Sequence, residues 1–208
     1  MNDQTVEDWL TALASKSSTP GGGAAAAVNA AIGAALVSMV CNLTIGKPKY
    51  AEHELTMVDV RSRAEELRTR LVGLAAEDAT AFDAVMAAYG LPKTTDEEKA
   101  ARKAAVQDAL HGAADVPMRI AATAADVIAL AGRILDGANV NVLSDVAVAV
   151  DSAGAALRSA ILNVEVNRAA ITDEGHRAEL AAGIARYQDA LLTAGAISEH
   201  VATRIRGS

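Results

Sequence analysis

The chain has 208 residues, of which 51% are hydrophobic but only 2% aromatic, and its formal net charge is −7. That length supports one well-filled core, and a core so poor in aromatics argues against sheets and for Ala-rich helices. The acidic balance argues against a nucleic-acid footprint or an anionic membrane surface as partner, and a single cysteine, Cys41, excludes an intrachain disulfide and suits a reducing, cytoplasmic compartment.

The first residues, MNDQTVEDW, lack the basic start and apolar stretch of a signal peptide. Over residues 3–15, Val6, Trp9, Leu10 and Leu13 fall on one face of a short amphipathic helix that Asp3 or Thr5 can cap. Pro20, Gly21, Gly22 and Gly23 then lead into an uncharged run ending before Lys47. The run is long enough to span a bilayer. Its Ala and Gly content and its Asn29, Ser38 and Asn42 instead predict the buried central helix of a bundle. Small residues at Ala24, Ala27, Ala31, Ala34 and Ala35 allow close approach by a neighbouring helix or a second copy of the chain. Glycines ahead of a helix leave N–H groups free to meet an anion, although a flexible lead-in reads equally from the sequence. Gly46 and Pro48 stop this helix. Asn42, Lys47, Lys49 and Tyr50 gather polar and cationic groups at its far end, either for a ligand or to cap the helix dipole.

Between Tyr50 and Tyr89 the stripe Leu67, Leu71, Leu74, Phe82, Val85, Tyr89 predicts a long helix with a break or bend near Gly73. Asp78 interrupts that stripe. A carboxylate facing a core must be paired, hydrogen-bonded or shifted in pKa, which fits either a helix-to-helix salt bridge or a site. Asp83 lies on another face among Ala76, Ala79 and Ala87, a setting for a cleft or for plain close packing. After the Gly90–Lys93 turn, Thr95 and Glu98 form a capping box, and Pro117 should kink or split the helix that follows. Gly137 to Asn141 is a loop, and Ser144 caps a helix running to about Arg168. On it Asp145, Ser152, Ser159, Asn163 and Asn167 form a polar seam, lining a pocket or facing solvent. Thr172 or Asp173 starts the last helix, which ends near Arg204. The predicted architecture is a single all-α domain spanning 1–208, a bundle around the Ala/Gly-rich helix. His53, His111, His176 and His200 do not form a metal set, and Cys41 reads as a packed thiol.

TPGGG at 19–23, ALVSMVCNLTIGKPKY at 35–50, EDATAFDAVMAAYGLPK at 77–93, and NVNVLSDVAVAV with LRSAILNVEVN up to 167 resemble the cyclodeaminase/cyclohydrolase family of folate enzymes. The resemblance implies a homodimer, no metal or redox cofactor, and a tetrahydrofolate derivative as substrate. The expected reaction is hydrolysis of 5,10-methenyltetrahydrofolate to 10-formyltetrahydrofolate. The alternatives are ammonia release from 5-formiminotetrahydrofolate, or a non-catalytic folate-binding dimer. Catalysis is expected from Asp83 or Asp145, with Asp78 positioning or tuning and Lys47 orienting water or steadying the developing oxygen. Gly21, Gly22, Gly23, Asn42, Lys49, Tyr50 and Asn163 are expected to bind substrate, Lys49 at its glutamate tail. Ala24 departs from the Ser often found after the three glycines in the family.

Overall fold

A computed structural model describes residues 4–207. Among these there are six α-helices and no strand: α1 (Val6–Leu13), α2 (Gly22–Asn42), α3 (Glu54–Tyr89), α4 (Asp96–Ile134), α5 (Leu143–Ala170) and α6 (Glu174–Arg206), with short 3-10 turns at Pro48–His53 and Val140–Val142. The predicted Ala/Gly rod is α2. It packs against α3, α4 and α5, and Ala24, Ala27, Ala30, Ala34, Val37 and Val40 are completely buried. The approach of α5 is close enough to require a glycine, because a Cβ on Gly33 would stand 2.8 Å from the Ala149 carbonyl oxygen. By length and composition α2 and α5 could each cross a bilayer; in α2 that apolarity fills the core.

Caps set the helix starts. In α1 the Thr5 side chain accepts from the Asp8 amide and Asp8 answers at the Thr5 backbone; Thr95 and Glu98 do the same for α4. Asp173 caps α6 through the His176 amide at 3.0 Å. Asp3, the other candidate cap of α1, lies outside the described residues. Ser144 does not cap α5. The helix starts one residue earlier, after a turn in which the Asn139 side chain accepts from the Asn141 amide.

Three expectations are corrected. First, α3 runs through Gly73 without a break, and a Cβ there would meet open space, so no close packing requires the glycine. Second, α4 passes through Pro117 as one helix of 39 residues. Proline lacks the N–H that would bond the carbonyl four residues back, and Asn167 of α5 supplies the missing donor, its Nδ2 lying 2.9 Å from the Ala113 oxygen. Third, the apolar face of α1 does not pack as a whole: Val6 and Leu10 are 76% and 52% exposed, while Trp9 packs on the core. The histidines hold one contact that the sequence hid, a stack of His111 on His176 with ring centroids 4.4 Å apart.

The larger core cluster surrounds α2. A smaller one joins Val85, Val106, Leu110, Val164, Ile171 and Leu180, and Ile161 packs against both. Where the smaller cluster meets the start of α2, the helices leave a cleft.

Candidate functional site

Gly21 is the N-cap residue of α2, and having no side chain it cannot cap the helix itself. Its amides therefore need an outside acceptor. Asp78, reaching across from α3, accepts from the Ala24 N–H at 2.9 Å. Here lies the reason for a carboxylate in the stripe between Leu74, which is buried, and Phe82, which is 40% exposed: it caps the central helix from another element. Among the described residues no cation pairs with it, so the salt-bridge reading of Asp78 does not hold. Gly23 must be glycine for this contact, since a Cβ there would run into the carboxyl group. Burial pushes the Asp78 pKa above the ordinary carboxylate value, and the Ala24 amide pulls part of the shift back.

Around this carboxylate opens a cleft of about 440 Å³, within the size range of small-molecule sites. Gly21, Gly22, Gly23, Asp78, Asn163 and Asn167 give it a polar floor; Phe82, Val85, Met86, Tyr89, Leu110 and Pro117 give it an apolar wall. The chain has one Phe and three Tyr, so two of its few aromatic rings, 40% and 44% exposed, face this space. The stripe pattern had assigned both to the core. Their exposure instead offers a surface on which a flat ring system stacks. Asn163 donates its Nδ2 to the Ser159 carbonyl at 2.8 Å, which leaves its Oδ1 as an acceptor beside Gly22. Ser18 and Thr19, which the sequence reading did not select, complete the rim.

Asp78, the three glycines and Asn163 thus come together. The other candidates do not join them. Asp83 lies five residues beyond Asp78 on α3, turned away from the cleft and exposed. Asp145 is on the first turn of α5, about 27 Å along the helix axis from Asn163. Asn42, Lys47 and Lys49 stand exposed at the opposite end of α2, which at 21 residues is about 30 Å long. Tyr50 is buried there: its hydroxyl accepts from the Val140 amide at 3.1 Å and lies 3.4 Å from the Asn139 Oδ1. Asn139 in turn donates to the Leu43 carbonyl at 2.9 Å and, through its amide, to the Thr44 hydroxyl at 3.0 Å. This network closes the C-terminal end of α2. The expectation that Asp83 and Asp145 stand beside Asp78 and Asn163 is therefore corrected within one chain, whereas the cationic groups lie at the far end of the rod, where the sequence puts them. Cys41 is buried, and burial pushes its thiol pKa up to about 11, which keeps it protonated and unreactive at neutral pH.

The sequence model described as formiminotransferase-cyclodeaminase matches residues 5–186. The chain is 51% identical to a methenyltetrahydrofolate cyclohydrolase from Methylorubrum extorquens, over 96% of this chain and 94% of that one. It is 33% identical to the formimidoyltransferase-cyclodeaminase of Rattus norvegicus over 83% of this chain, and spans about a third (32%) of that longer relative. The crystal structure of formiminotetrahydrofolate cyclodeaminase from Thermotoga maritima superposes with a TM-score of 0.84 at 29% identity, covering 99% of this chain and 98% of the other. On this match, which takes in α1 to α5 and the first 13 residues of α6, the chain belongs to the formiminotransferase-cyclodeaminase family.

Proposed function

We propose that the chain hydrolyses 5,10-methenyltetrahydrofolate to 10-formyltetrahydrofolate, with Asp78 as the working carboxylate. The observation that carries the assignment is Asp78 itself: half-buried, unpaired by any cation among the described residues, and held at one oxygen by the Ala24 N–H on the floor of a cleft walled by Phe82 and Tyr89. The 51% identity to an enzyme of that name over nearly its whole length supports the same reaction.

The substrate is a cation delocalised over N5, the bridging carbon and N10, and an anionic carboxylate in a partly desolvated cleft attracts it. The second Asp78 oxygen takes a proton as water attacks the bridging carbon. As the carbon–N5 bond breaks, that proton passes to N5. The hydroxyl proton leaves to solvent as the formyl C=O forms on N10, so one proton is released overall. The raised pKa makes Asp78 a better base than an exposed aspartate. Asn163 Oδ1 and the glycine backbone hold the pterin edge by hydrogen bonds, and the aromatic wall stacks on its face.

Ammonia release from 5-formiminotetrahydrofolate is the second reading, favoured by the likeness to the Thermotoga enzyme; both reactions pass through the same methenyl bridge. Loss of the methenyl chromophore on adding the protein supports hydrolysis. Ammonia release from the formimino compound without that loss supports the second reading. Folate binding with neither reaction overturns both.

We infer further that the chain works as a homodimer joined through the open face of α2. Ile32 and Met39 of α2 and its C-cap Leu43 are 48%, 36% and 42% exposed and follow one another at helical spacing, an apolar strip on a helix that is otherwise mostly buried.

A further inference from the structure

The end of α5 bounds the cleft: Val166, Asn167 and Ala170 line it together with Leu110 and Ala113 of α4. Two residues one turn apart on α4 hold the α5–α6 turn that follows. Gln107 acts there as a piece of backbone would. Its Nε2 donates to the Ala170 carbonyl at 3.1 Å, and its Oε1 accepts from the Thr172 amide at 2.7 Å and the Thr172 hydroxyl at 2.9 Å. Those bonds satisfy groups that the break between two helices leaves open. Four residues on, His111 stacks on His176 in the first turn of α6, with ring centroids 4.4 Å apart and the planes tilted by 34°.

The pair is held in surroundings that oppose added charge. Among the described residues four buried side-chain atoms have no hydrogen-bond partner, and three of them are the Nε2 atoms of His111 and His176 and the Nε of Arg177. A neutral imidazole has one ring nitrogen without a proton, and a shielded Nε2 suits that state. A proton added there buries an N–H with no acceptor, and protons on both rings set two cations against each other. Arg177 is a further cation, met by Glu174 at 2.8 Å. The carboxylates nearby are poorly placed to compensate. Glu179 is 81% exposed and 3.7 Å from the His176 Nδ1. Asp173 interacts with the charge of both rings, but it is exposed and one oxygen is engaged by the His176 amide. Asp108 and Asp115, three and four residues from His111 on α4, are exposed as well. Glu165 and Arg168 of α5 pair with each other at 2.7 Å, and α3 brings the apolar Val85 and Ala88 to the adjoining core. The folded pair therefore resists protons that the unfolded rings take up near pH ~6.5. The unfolded side binds more protons in acid, so the contact is kept above that pH and lost below it.

We propose that Gln107 and the His111–His176 stack form an acid-released latch that positions the α5 wall of the cleft. The proposal rests on the reading of that cleft as the methenyltetrahydrofolate site. Release frees the last turn of α5 and the start of α6 from Leu110, widening the cleft beside Ala170, while Asp78 keeps its bond to the Ala24 amide. The latch thus governs binding rather than chemistry, and Gln107 is a positioning residue that acts through Ala170.

Hydrogen exchange, corrected for the intrinsic pH dependence of amides, reads the latch in residues 166–182 at about pH 7.5 and about pH 5.5. Wild type should lose protection there by about tenfold or more in acid while α2 keeps its own, and His111→Gln should show no such loss. His176→Gln takes its place if that variant does not fold, and if neither folds the wild-type comparison decides. Equal protection at the two pH values, or a loss that persists in a glutamine variant, overturns the proposal. Steady-state kinetics at the higher pH read the positioning. Gln107→Ala should raise KM for methenyltetrahydrofolate about fivefold or more with kcat within about twofold of wild type. Gln107→Glu, which keeps an acceptor for Thr172, should recover part of that loss. An unchanged KM, or a loss confined to kcat, also overturns the proposal. If wild type does not turn over the substrate, the reaction assigned above fails separately, and the exchange measurement still decides the latch.

Discussion

Asp78 does two tasks at once, capping α2 through the Ala24 amide and presenting a carboxylate to the cleft, and substitution separates them. Asp78→Asn keeps an oxygen acceptor for the amide but loses the base, so the fold should persist while kcat falls by about 100-fold or more. A circular dichroism melt beside the absorbance assay checks both; an asparagine enzyme with wild-type kcat would remove Asp78 from the chemistry. The pH dependence has a definite sign. The folded-state pKa is raised above the ordinary value of 3.8, so the rate falls on the acid side at a pH higher than an exposed aspartate would give, and this limb is missing in the asparagine variant. Stability runs the other way. A carboxyl group that prefers to be protonated when folded favours the native state most in acid, and that contribution is lost as pH rises from 3.8 through the raised value. Melts of wild type against Asp78→Asn across that window should show wild type losing ground as pH rises and the difference flat above it. Gly23→Ala tests the fit from the other side. Its methyl group would displace the carboxyl group, costing about 1–3 kcal/mol in stability together with activity; an alanine variant as active and stable as wild type would refute the close approach.

At the scale of elements, the positions legible in the sequence were those governed by near neighbours in the chain. The boxes at Thr5 and Thr95 and the cap at Asp173 form within three residues, so their residue types announce them. The kink expected at Pro117 did not split α4, and its compensation is 54 residues away, in Asn167. The polar seam of α5 thus has two explanations along its length: Asn163 faces the cleft, while Asn167 also repairs a neighbouring helix and ties to the Asn163 carbonyl at 3.0 Å. Asn167→Ala should cost about 1–3 kcal/mol because it strands the Ala113 oxygen. In a Pro117→Ala background, where residue 117 regains an N–H for that oxygen, the same change should cost distinctly less. The coupling from denaturant melts of the four proteins measures this; additive losses would show that Asn167 does not serve the proline.

The whole molecule is a bundle whose central helix is mostly buried but opens along one side, where Asn29, Ile32, Met39 and, just past its end, Leu43 are exposed. Introducing Ile32→Glu with Met39→Glu should convert a dimer to a folded monomer in sedimentation analysis, since charged side chains are poorly tolerated in the core of an interface; a dimer that persists would place the contact elsewhere. What the sequence by itself determined was the all-helical class, the Ala/Gly rod, the caps and the anomaly of Asp78 in an apolar stripe, because periodicity and capping act over a few residues. It also carried the family likeness. Only the tertiary structure decided which polar residues share a cleft. The register of α2, α3 and α5 brings Gly23, Asp78 and Asn163 to one end, and leaves Lys47, Lys49, Tyr50 and Asp145 away from it. Helices of this length separate residues of the same seam by up to about 30 Å, and packing, not spacing, selects which carboxylate meets the open amides of another helix.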